Sequence, residues 1–395
     1  MSVSPADTGR IEAGVRLAEP APVCLADVER LAVSQVPADV RDFVQGGSGG
    51  ERTLAANRSA LDDVAVVPRV LRGAGAGDTR SRLVGTACAM PVAIAPMAYH
   101  RLLHPEGELA TAAAALAAQV PFTVGMLSSC SLESIAQVGA SIWFQLYWLS
   151  DRRRMLDLIG RAERAGCQAL VITVDVPVMG RRLRDLRNEF VLPSWVSAVN
   201  LEDGPSAAHG RVAGGSAVAE HTRTVFDPAV TWQDLEWLRE QTTLPLIVKG
   251  VLDGGDAARA AACGADAVVV SNHGGRQLDG SPASVAVLPQ VREAVPDDCQ
   301  VLLDSGVRSG TDILRALALG ASGVMVGRPL LWGLALGGAA GAGQVLSLLR
   351  AEFADCLTLA GCADPGEAGE LRTLLGPKAV LRQGPRGRGG GGHDH

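Results

Sequence analysis

The sequence has no excess of positive charge. Its 36 Lys and Arg residues are outnumbered by 42 Asp and Glu residues, which gives a formal net charge of −6 at pH 7. Binding to nucleic-acid phosphates requires a clustered positive surface. The Arg-rich run at 181–187 is short and is interrupted by Asp185. We therefore expect no nucleic-acid partner.

Signals for secretion, membrane insertion and zinc binding are also missing. Residues 1–20 lack the apolar core of a signal peptide, and no apolar run reaches the ~20 residues of a membrane span. The most apolar stretch, 330–346, is broken by five Gly and is expected to form a loop and a helix. None of the eight Cys forms a C-x-x-C pair, so reduced thiols are predicted. We expect a soluble, cytoplasmic protein with no membrane partner and no metal site.

What the sequence does contain is a regular alternation of short apolar runs and Ala-rich helical patterns. The runs lie at 91–97, 121–127, 142–148, 169–177, 245–251, 267–273, 300–306 and 323–329. Nearly continuous apolar strands that alternate with helices are typical of a parallel sheet covered by helices. Eight such units favour a (β/α)8 TIM barrel over an open, doubly wound sheet.

The segments outside this alternation define the predicted domain organisation. Residues 1–23 are predicted to be a flexible tail, and residues 24–380 the barrel domain, with a helical cap at 24–90. The long connection after the fourth strand, 178–244, is rich in Gly, Ala and Ser over 198–222 and is predicted to be a mobile insertion over the barrel mouth. The Gly-rich tail at 381–395 is predicted to be disordered.

Nearly every predicted strand ends in a polar or charged group. The residues at the strand ends, in chain order, are Met97 and Ala98, Ser128 and Ser129, Gln145 and Tyr147, Thr173 and Asp175, Lys249, His273 and Arg276, Asp304 and Arg308, and Gly327 and Arg328. Active sites of (β/α)8 barrels lie at the C-terminal ends of the strands. The pattern therefore predicts an enzyme.

The last two strands carry a phosphate-binding pattern. The motifs "DSGVRSG" (304–310) and "GRP" (327–329) each place glycines and an Arg just before a helix. Backbone N–H groups, a helix N-terminus and guanidinium groups together bind phosphate. No G-x-G-x-x-G motif follows an early strand, so a Rossmann dinucleotide site is not indicated. A phosphorylated ligand is expected.

The stretch "SNHGGRQLDG" (271–280) carries the predicted chemistry. His273 is a candidate base that Asp175 can orient, and Arg276 with Arg182 can grip a carboxylate. Lys249 lies within an apolar strand, so it needs an anionic partner.

These motifs resemble the FMN-dependent 2-hydroxy acid oxidases and dehydrogenases, which include glycolate oxidase, lactate oxidase and mandelate dehydrogenase. The resemblance runs from about residue 24 to 375. It includes "HPEGE" (104–108), "FQLYW" (144–148), "TVDVP" (173–177), "GRRLRDLRN" (180–188) and "VGRP" (326–329). The family fold is a (β/α)8 barrel, its cofactor is FMN, and its members suggest a homotetramer.

The resemblance implies roles for individual residues. It makes His273 the base and Asp175 its support, with Tyr147 donating to the substrate oxygen and Lys249 near flavin N1 as further catalytic residues. Arg276 and Arg182 would bind the substrate carboxylate. The cofactor would be bound by Pro96, Met97, Ala98, Ser128, Gln145, Thr173, Lys249, Ser271, Gly274, Asp304, Gly306, Arg308, Gly327 and Arg328.

One position departs from the family. Phe43 stands where the family usually has a Tyr that helps to bind the carboxylate, so a hydroxyl donor is missing and the pocket is more apolar. An aromatic substrate can pack against Phe43. The flanking stretches are most similar to the 4-hydroxymandelate oxidase branch, and Tyr99, Met179 and Trp195 are expected to line a larger pocket.

The resulting prediction is oxidation of an aromatic (S)-2-hydroxy acid, such as mandelate or 4-hydroxymandelate, to the 2-oxo acid, with oxygen reduced to hydrogen peroxide. Three alternatives remain. They are a dehydrogenase that passes electrons to a quinone or another acceptor, an oxidase of glycolate or lactate, and a flavin-binding protein without catalysis.

Overall fold

The computed structural model describes residues 21–201 and 226–376, and at its centre lies a closed barrel of eight parallel strands. In the order in which they pair around the barrel, the strands are β4 (Val92–Ile94), β5 (Phe122–Gly125), β6 (Ile142–Tyr147), β7 (Ala169–Thr173), β8 (Leu246–Val251), β9 (Ala267–Val270), β10 (Gln300–Leu303) and β11 (Gly323–Val326). The pairing of β11 with β4 closes the barrel. Each strand lies within one of the eight predicted runs, so the predicted (β/α)8 barrel is confirmed.

Helices surround the barrel and connect its strands. They are α4 (Glu108–Ala118), α5 (Leu132–Ala136), α6 (Arg152–Arg164), α7 (Leu183–Arg187), α8 (Trp232–Glu240), α9 (Gly254–Ala262), α10 (Ser284–Ala294), α11 (Gly310–Ala318), α12 (Arg328–Ala360) and α13 (Pro365–Ala368). Because helices cover the sheet outside and side chains fill it inside, the strands are buried on both faces. This burial explains their nearly continuous apolar sequences.

A short hairpin closes the N-terminal end of the barrel. Its strands β2 (Ser81–Leu83) and β3 (Thr86–Cys88) place Leu83 in one cluster with Trp143 and Met325 inside the barrel. The N–H of Val84 also donates to the side chain of Gln300, at the start of β10, over 2.9 Å. The opposite end of the barrel, at the C-terminal ends of its strands, is not closed by this hairpin.

The cap that precedes the barrel is only partly helical. Helices α1 (Leu25–Gln35), α2 (Ala38–Gln45) and α3 (Arg52–Asp62) are followed by β1 (Val64–Val67) and then the hairpin. Strand β1 pairs antiparallel with β12 (Arg372–Leu375), which joins the two ends of the described chain. The predicted helical cap at 24–90 is therefore helical in its first part and continues as short strands in its second.

The apolar stretch 330–346 forms helix rather than the expected loop and helix. It belongs to α12, which bends sharply at Gly337 and Gly338, where the backbone is not helical. By length and composition α12 could cross a membrane, yet 61% of its most apolar 18-residue window is buried within the fold. It packs against α1, α4 and α11. A core helix passes the same test of length and composition.

The connection 178–244 is more ordered at its two ends than predicted. Its beginning holds α7 and a single 3-10 turn at Val199–Leu201, and its end holds α8, which covers the barrel like the other helices. The middle of the predicted insertion lies outside the described residues. So do almost all of the predicted tail at 1–23 and the whole of the tail at 381–395.

Candidate active site

One large cavity opens at the C-terminal ends of the barrel strands, where the polar strand ends converge. Most of the predicted site residues line it. They are Phe43, Pro96, Met97, Ala98, Tyr99, Tyr147, Met179, Arg182, Lys249, His273, Gly274, Arg276, Asp304, Gly306, Arg308, Gly327 and Arg328. Together with Leu127, which follows β5 and also lines the cavity, they show that the barrel geometry brings residues from all eight strand ends, and from the cap, to a single place.

The pair of His273 and Asp175 lies at this cavity. Nδ1 of His273 is 3.0 Å from Oδ1 of Asp175, and both side chains are largely buried. Burial lowers the pKa of His273 below its ordinary value, although Asp175 acts in the opposite direction. Burial acts to raise the pKa of Asp175. The charge and hydrogen bond of His273 and the charge on Lys249 outweigh it, so the pKa of Asp175 lies below its ordinary value. The pair is therefore a neutral imidazole held by a carboxylate, with Nε2 as the nitrogen that can accept a proton.

The backbone at His273 is held in an uncommon conformation. His273 has a φ of 57°, in the left-handed region, within a short 3-10 turn. The turn is fastened by Asn272, whose side-chain oxygen accepts from the N–H of Gly275 over 3.0 Å. The amides of Asn272 and Asn57 exchange hydrogen bonds of 2.8 and 2.7 Å, which tie this turn to the cap helix α3. A strained, well-fastened residue is common where a side chain must be aimed.

The two glycines after His273 leave room for neighbouring groups of the protein. A Cβ on Gly274 would lie 2.8 Å from the guanidinium of Arg328, and one on Gly275 would lie 2.6 Å from the backbone of Leu54 in α3. The glycines therefore let Arg328 and the cap helix approach the turn. Both also have positive φ, which favours glycine there.

Two arginines converge at the rim of the cavity around Phe43. The guanidinium of Arg276 lies 5.3 Å from the centre of the Phe43 ring, and that of Arg182 lies 6.0 Å from it. Arg276 donates to the carbonyls of Phe43 and Gly46 over 2.7 and 2.9 Å. Burial, followed by repulsion from other arginines, lowers the pKa of Arg276 well below its ordinary value. An anion bound between Arg276 and Arg182 would reduce the repulsion and stabilise the charged form of the buried guanidinium.

Tyr147 is placed beside His273 and is covered by a residue that the sequence analysis did not identify. The rings of Tyr147 and His273 are 6.4 Å apart, and the ring of Phe226 stacks on Tyr147 at 4.7 Å. Burial, reinforced by Asp175, raises the pKa of Tyr147, so its hydroxyl stays protonated. Phe226 follows the long insertion after β7, and no strand-end pattern pointed to it. A bridge to Leu149, the stacking on Tyr147 and the hydrogen bond from the N–H of Asp227 to the carbonyl of Trp148 position it.

Lys249 finds its anionic partner in the protein. Its Nζ is 2.8 Å from Oδ2 of Asp304 and donates to Oγ of Ser271 over 2.9 Å. Burial acts to lower the pKa of Lys249, but Asp304 and Asp175 outweigh it and the pKa is raised. Lys249 is therefore a fixed positive charge at the floor of the cavity.

The predicted phosphate end is strongly cationic. Arg328 donates to the carbonyls of Val44, Gly274 and Gly46 over 2.9 to 3.1 Å, and it makes no ion pair within the described residues. Burial, followed by repulsion from Arg308 and Arg182, lowers the pKa of Arg328 to about 9. Helix α12 begins there and has no side-chain N-cap. A buried guanidinium without a carboxylate beside a free helix N-terminus is suited to an anion.

Four predicted cofactor residues do not reach the surface of this cavity. Ser128, Gln145, Thr173 and Ser271 are buried and are absent from its lining. Gln145 donates to Thr173 over 3.1 Å, and Ser128 accepts from Asn200 over 2.8 Å. Their contacts with the cofactor stay predictions.

Trp195 does not line the cavity, contrary to the prediction from the sequence. Its side chain is 61% exposed. The cavity lining missed by the sequence analysis is mainly apolar, and it comprises Val44, Ala95, Leu102, Leu103, Leu127, Val176, Phe226, Gln277, Ser305, Val307, Met325 and Leu331.

The charge of the cavity limits what can fill it. Four arginines and Lys249 line it, against Asp304 as the single lining carboxylate among the described residues. A ligand that carries a phosphate, together with a second ligand that carries a carboxylate, would balance this excess. The cavity is thus built for two anionic groups at different ends.

Comparison with known proteins agrees with this geometry. Residues 32–373 match the family model of the FMN-dependent dehydrogenases. The chain belongs to the FMN-dependent dehydrogenase family. Its cofactor is accordingly FMN, as the motifs predicted.

The chain matches named relatives over nearly their whole length. The chain is 54% identical to 4-hydroxymandelate oxidase of Amycolatopsis orientalis, over 90% of this chain and 99% of that protein. It is 45% identical to L-lactate oxidase of a Nostoc species, over 87% of this chain and 95% of that protein. A crystal structure of mandelate oxidase with (S)-4-hydroxymandelic acid superposes with a TM-score of 0.87 at 53% identity, over 90% of this chain and 99% of that one.

The residues of this FMN-dependent dehydrogenase fit its cofactor. Arg308 and Arg328, with Gly306 and Gly327, would hold the phosphate. Both guanidiniums are largely buried where the backbone comes close, and Arg328 makes no ion pair among the described residues, whereas Arg308 lies 3.8 Å from Glu29. Lys249 would hold negative charge that develops on the ring system. The cofactor supplies a two-electron acceptor when it is bound.

Proposed function

We propose that the protein oxidises an aromatic (S)-2-hydroxy acid, of the mandelate or 4-hydroxymandelate type, to the 2-oxo acid, with oxygen as the final electron acceptor. The observation that carries the proposal is one cavity that joins the His273–Asp175 pair and an arginine clamp to an apolar, aromatic wall. The names of the relatives support the same substrate class.

The chain's own residues divide the chemistry between them. Arg276 and Arg182 bind the substrate carboxylate and set the orientation of the α-carbon. Tyr147 donates a hydrogen bond to the oxygen on that carbon. Neutral His273 accepts a proton from the substrate, and Asp175 stabilises the imidazolium that forms. Overall the substrate loses two electrons and two protons, and oxygen gains them as hydrogen peroxide.

The aromatic preference rests on Phe43. Its ring stacks on Phe190 at 4.5 Å, and the guanidiniums of Arg276 and Arg182 lie 5.3 and 6.0 Å from its centre. Phe43 also lines the cavity and carries no hydroxyl, so it gives nothing polar to a small acid, while the apolar surface that it leaves open can contact a ring. A short-chain acid such as glycolate is therefore the weaker candidate.

Anaerobic mixing tests the proposal directly. The purified yellow protein is mixed with (S)-mandelate and, separately, with glycolate, while the flavin absorbance is followed near its visible maximum. We expect rapid bleaching by mandelate and much slower bleaching by glycolate, with recovery and peroxide formation on admitting air. Bleaching that air does not reverse would indicate a dehydrogenase with another acceptor. If neither acid bleaches the flavin, the substrate class is wrong.

We also propose a homotetramer, on the resemblance to the family alone, and a cytoplasmic location, which is the expectation from the sequence. Light scattering on the purified protein measures the assembly.

A further inference from the structure

Two segments of the chain share the residues that carry the chemistry. The turn after β9 holds His273 and Arg276, and the connection between β7 and α7 holds Asp175 and Arg182. The base with its carboxylate is one functional pair, and the two arginines of the clamp are the other. Each pair has one member in each segment. The geometry of the pairs therefore depends on how the two segments are joined.

The connection after β7 is irregular where it carries Asp175. Strand β7 ends at Thr173, α7 begins at Leu183, and no regular element lies in the described chain between them. The carboxylate has little to hold it, because Oδ1 is 3.0 Å from Nδ1 of His273 while Oδ2 has no hydrogen-bond partner among the described residues. The position of Asp175 therefore depends strongly on its backbone.

The amide of Gln277 fastens this connection to the turn. Its Nε2 donates to the carbonyls of Asp175 and Val178 over 2.8 and 2.9 Å, and its Oε1 accepts from the N–H of Gly180 over 2.9 Å. The segments lie close together, since a Cβ on Gly180 would be 2.3 Å from the carbonyl oxygen of Arg276. Two donors and one acceptor in one neutral group are what a side-chain amide offers.

Gln277 is itself held from the cap. The hydroxyl of Ser48, in the loop after α2, donates to the carbonyl of Gln277. The N–H of Ser48 also donates to the carbonyl of Gly275, over 2.9 Å. The amide of Gln277 thus extends from a fixed turn to an irregular connection, and its hydrogen bonds carry the order of the first to the second.

The clamp arginines are fastened separately. Arg276 donates to carbonyls of the cap, as described above. Arg182 directly precedes α7, and the carbonyl of its neighbour Arg181 accepts from the N–H of Gly49 over 2.9 Å. Loss of the Gln277 amide should therefore disturb Asp175 more than the clamp.

We propose that Gln277 is a positioning residue, which binds the backbone of Asp175 and so holds that carboxylate against His273 while the base acts. The inference rests on the proposed function and assigns the source of its catalytic geometry. It predicts that a side chain outside the reacting set governs the rate through Asp175.

The test is a Gln277→Met variant of the FMN-loaded protein, because Met has a similar length but no amide. We expect kcat with (S)-mandelate to fall by about 10- to 100-fold, since a displacement of ~1 Å in an active site can cost about 10²-fold. KM should change by less than about threefold, because the carboxylate clamp stays in place.

A double variant shows whether Gln277 acts through Asp175. In an Asp175→Asn background, Gln277→Met should lower kcat by less than about a further threefold, because the carboxylate that it positions is already gone. A contribution to the general stability of the fold would instead give two losses that multiply.

The titration of His273 supplies a readout that needs no turnover. Burial lowers the pKa of His273, Asp175 raises it, and the charges of Lys249 and Arg182 lower it further. A loosened Asp175 in Gln277→Met should therefore lower this pKa, and the acid limb of kcat/KM should move to lower pH with it. NMR of the FMN-loaded protein with isotope-labelled histidine follows the imidazole, and His273→Gln identifies its signal.

Gln300→Met is the matched control. The amide of Gln300 also binds backbone groups, because it accepts from the N–H of Val84 over 2.9 Å and donates to the carbonyl of Arg82 over 3.3 Å. These contacts lie at the closed end of the barrel. We expect this variant to lose stability without a change in kcat or in the pKa of His273.

Three results would overturn the inference: an unchanged kcat in Gln277→Met, an unchanged pKa of His273 in that variant, or losses that multiply in the double variant. If Gln277→Met does not retain FMN, Gln277→Asn decides. Its amide is one methylene shorter and cannot reach all three partners, so the same changes are expected at smaller size. Full activity at an unchanged pKa of His273 in Gln277→Asn overturns the inference as well.

The two failures can be told apart. If the wild-type protein oxidises neither mandelate nor 4-hydroxymandelate, the proposed function fails, and the NMR titration alone decides the role of Gln277. If it oxidises them and the pKa of His273 stays in place in Gln277→Met, the proposed function stands and only the role of Gln277 fails.

Discussion

At the scale of single residues, the site is a set of charges whose normal behaviour is changed by burial. His273 is less basic than an exposed histidine. Burial and repulsion from Arg182 and Arg328 lower the pKa of Arg276, although Asp185 acts in the opposite direction. Both conditions are unfavourable in the empty protein, and both suit a substrate that brings a carboxylate and gives up a proton. Strongly shifted pKa values of several groups in one cavity are typical of catalytic sites.

The pH dependence of activity follows from the His273–Asp175 pair. A protonated His273 cannot accept a proton, so kcat/KM is expected to fall as the pH drops through its pKa, which lies below the ordinary 6.5. Asp175 raises that pKa, so Asp175→Asn is expected to move the acid limb to lower pH. It should also slow turnover by about 10²-fold or more, because the imidazolium loses its partner. A pH profile of kcat/KM for both proteins, at equal flavin content, measures this.

Two results would contradict the prediction. An acid limb that stays in place in Asp175→Asn would mean that His273 does not govern it. Full activity in the variant would mean that Asp175 does not support the base.

The residues that could be predicted from the sequence are those fixed by strand ends. His273, Lys249 and Asp304 follow directly from apolar runs, and barrel topology brings all strand ends to one face. Phe226 could not be predicted, because it reaches the cavity from the far side of a long insertion. Trp195 was placed wrongly for the same reason: position along an insertion does not determine which way a side chain points.

At the scale of elements, loops between barrel strands are fastened to one another by buried polar groups. The "HPEGE" motif shows this best. Glu108, fully buried at the start of α4, accepts from the N–H of His100 in its own loop and from the N–H and hydroxyl of Ser129 in the next loop, over 2.7 to 3.1 Å. The motif thus has a structural purpose that its resemblance to the family did not reveal. It joins the loop that carries Tyr99 to the end of β5.

Removing this fastening is expected to destabilise the fold. In Glu108→Gln one acceptor oxygen becomes an NH₂ group that faces N–H and O–H donors. We expect a loss of about 1–3 kcal/mol in the free energy of unfolding, the cost of leaving buried polar groups unpaired. Urea unfolding, followed by circular dichroism, measures it. Glu106→Gln is the matched control from the same motif, because the Glu106 side chain is 66% exposed and its loss should change stability little.

A loss in Glu108→Gln no larger than in the control would contradict the fastening role. Elements such as the β1–β12 pair could not have been predicted from local sequence, because their strands are far apart along the described chain and each is short.

At the scale of the whole molecule, the protein has a closed end and a charged end. The hairpin fills the N-terminal end of the barrel with apolar side chains, and the C-terminal end gathers buried cations. Folding without cofactor therefore leaves like charges close together in a poorly hydrated cavity, which is unfavourable. Anion binding should be coupled to the stability of the entire barrel.

This coupling predicts that the phosphate of FMN contributes much of the cofactor's stabilisation. At a concentration 100-fold above its dissociation constant, FMN should add about 2.7 kcal/mol and raise Tm of the apoprotein by about 3 °C. Riboflavin, which lacks the phosphate, should raise it much less. In Arg328→Gln the difference between the two ligands should shrink, because a main phosphate contact is gone. In Arg80→Gln, which alters an exposed arginine beside the hairpin, the difference should persist. Differential scanning fluorimetry of the three apoproteins measures these shifts, and equal stabilisation by FMN and riboflavin in the wild type would show that the cationic end binds something other than the phosphate.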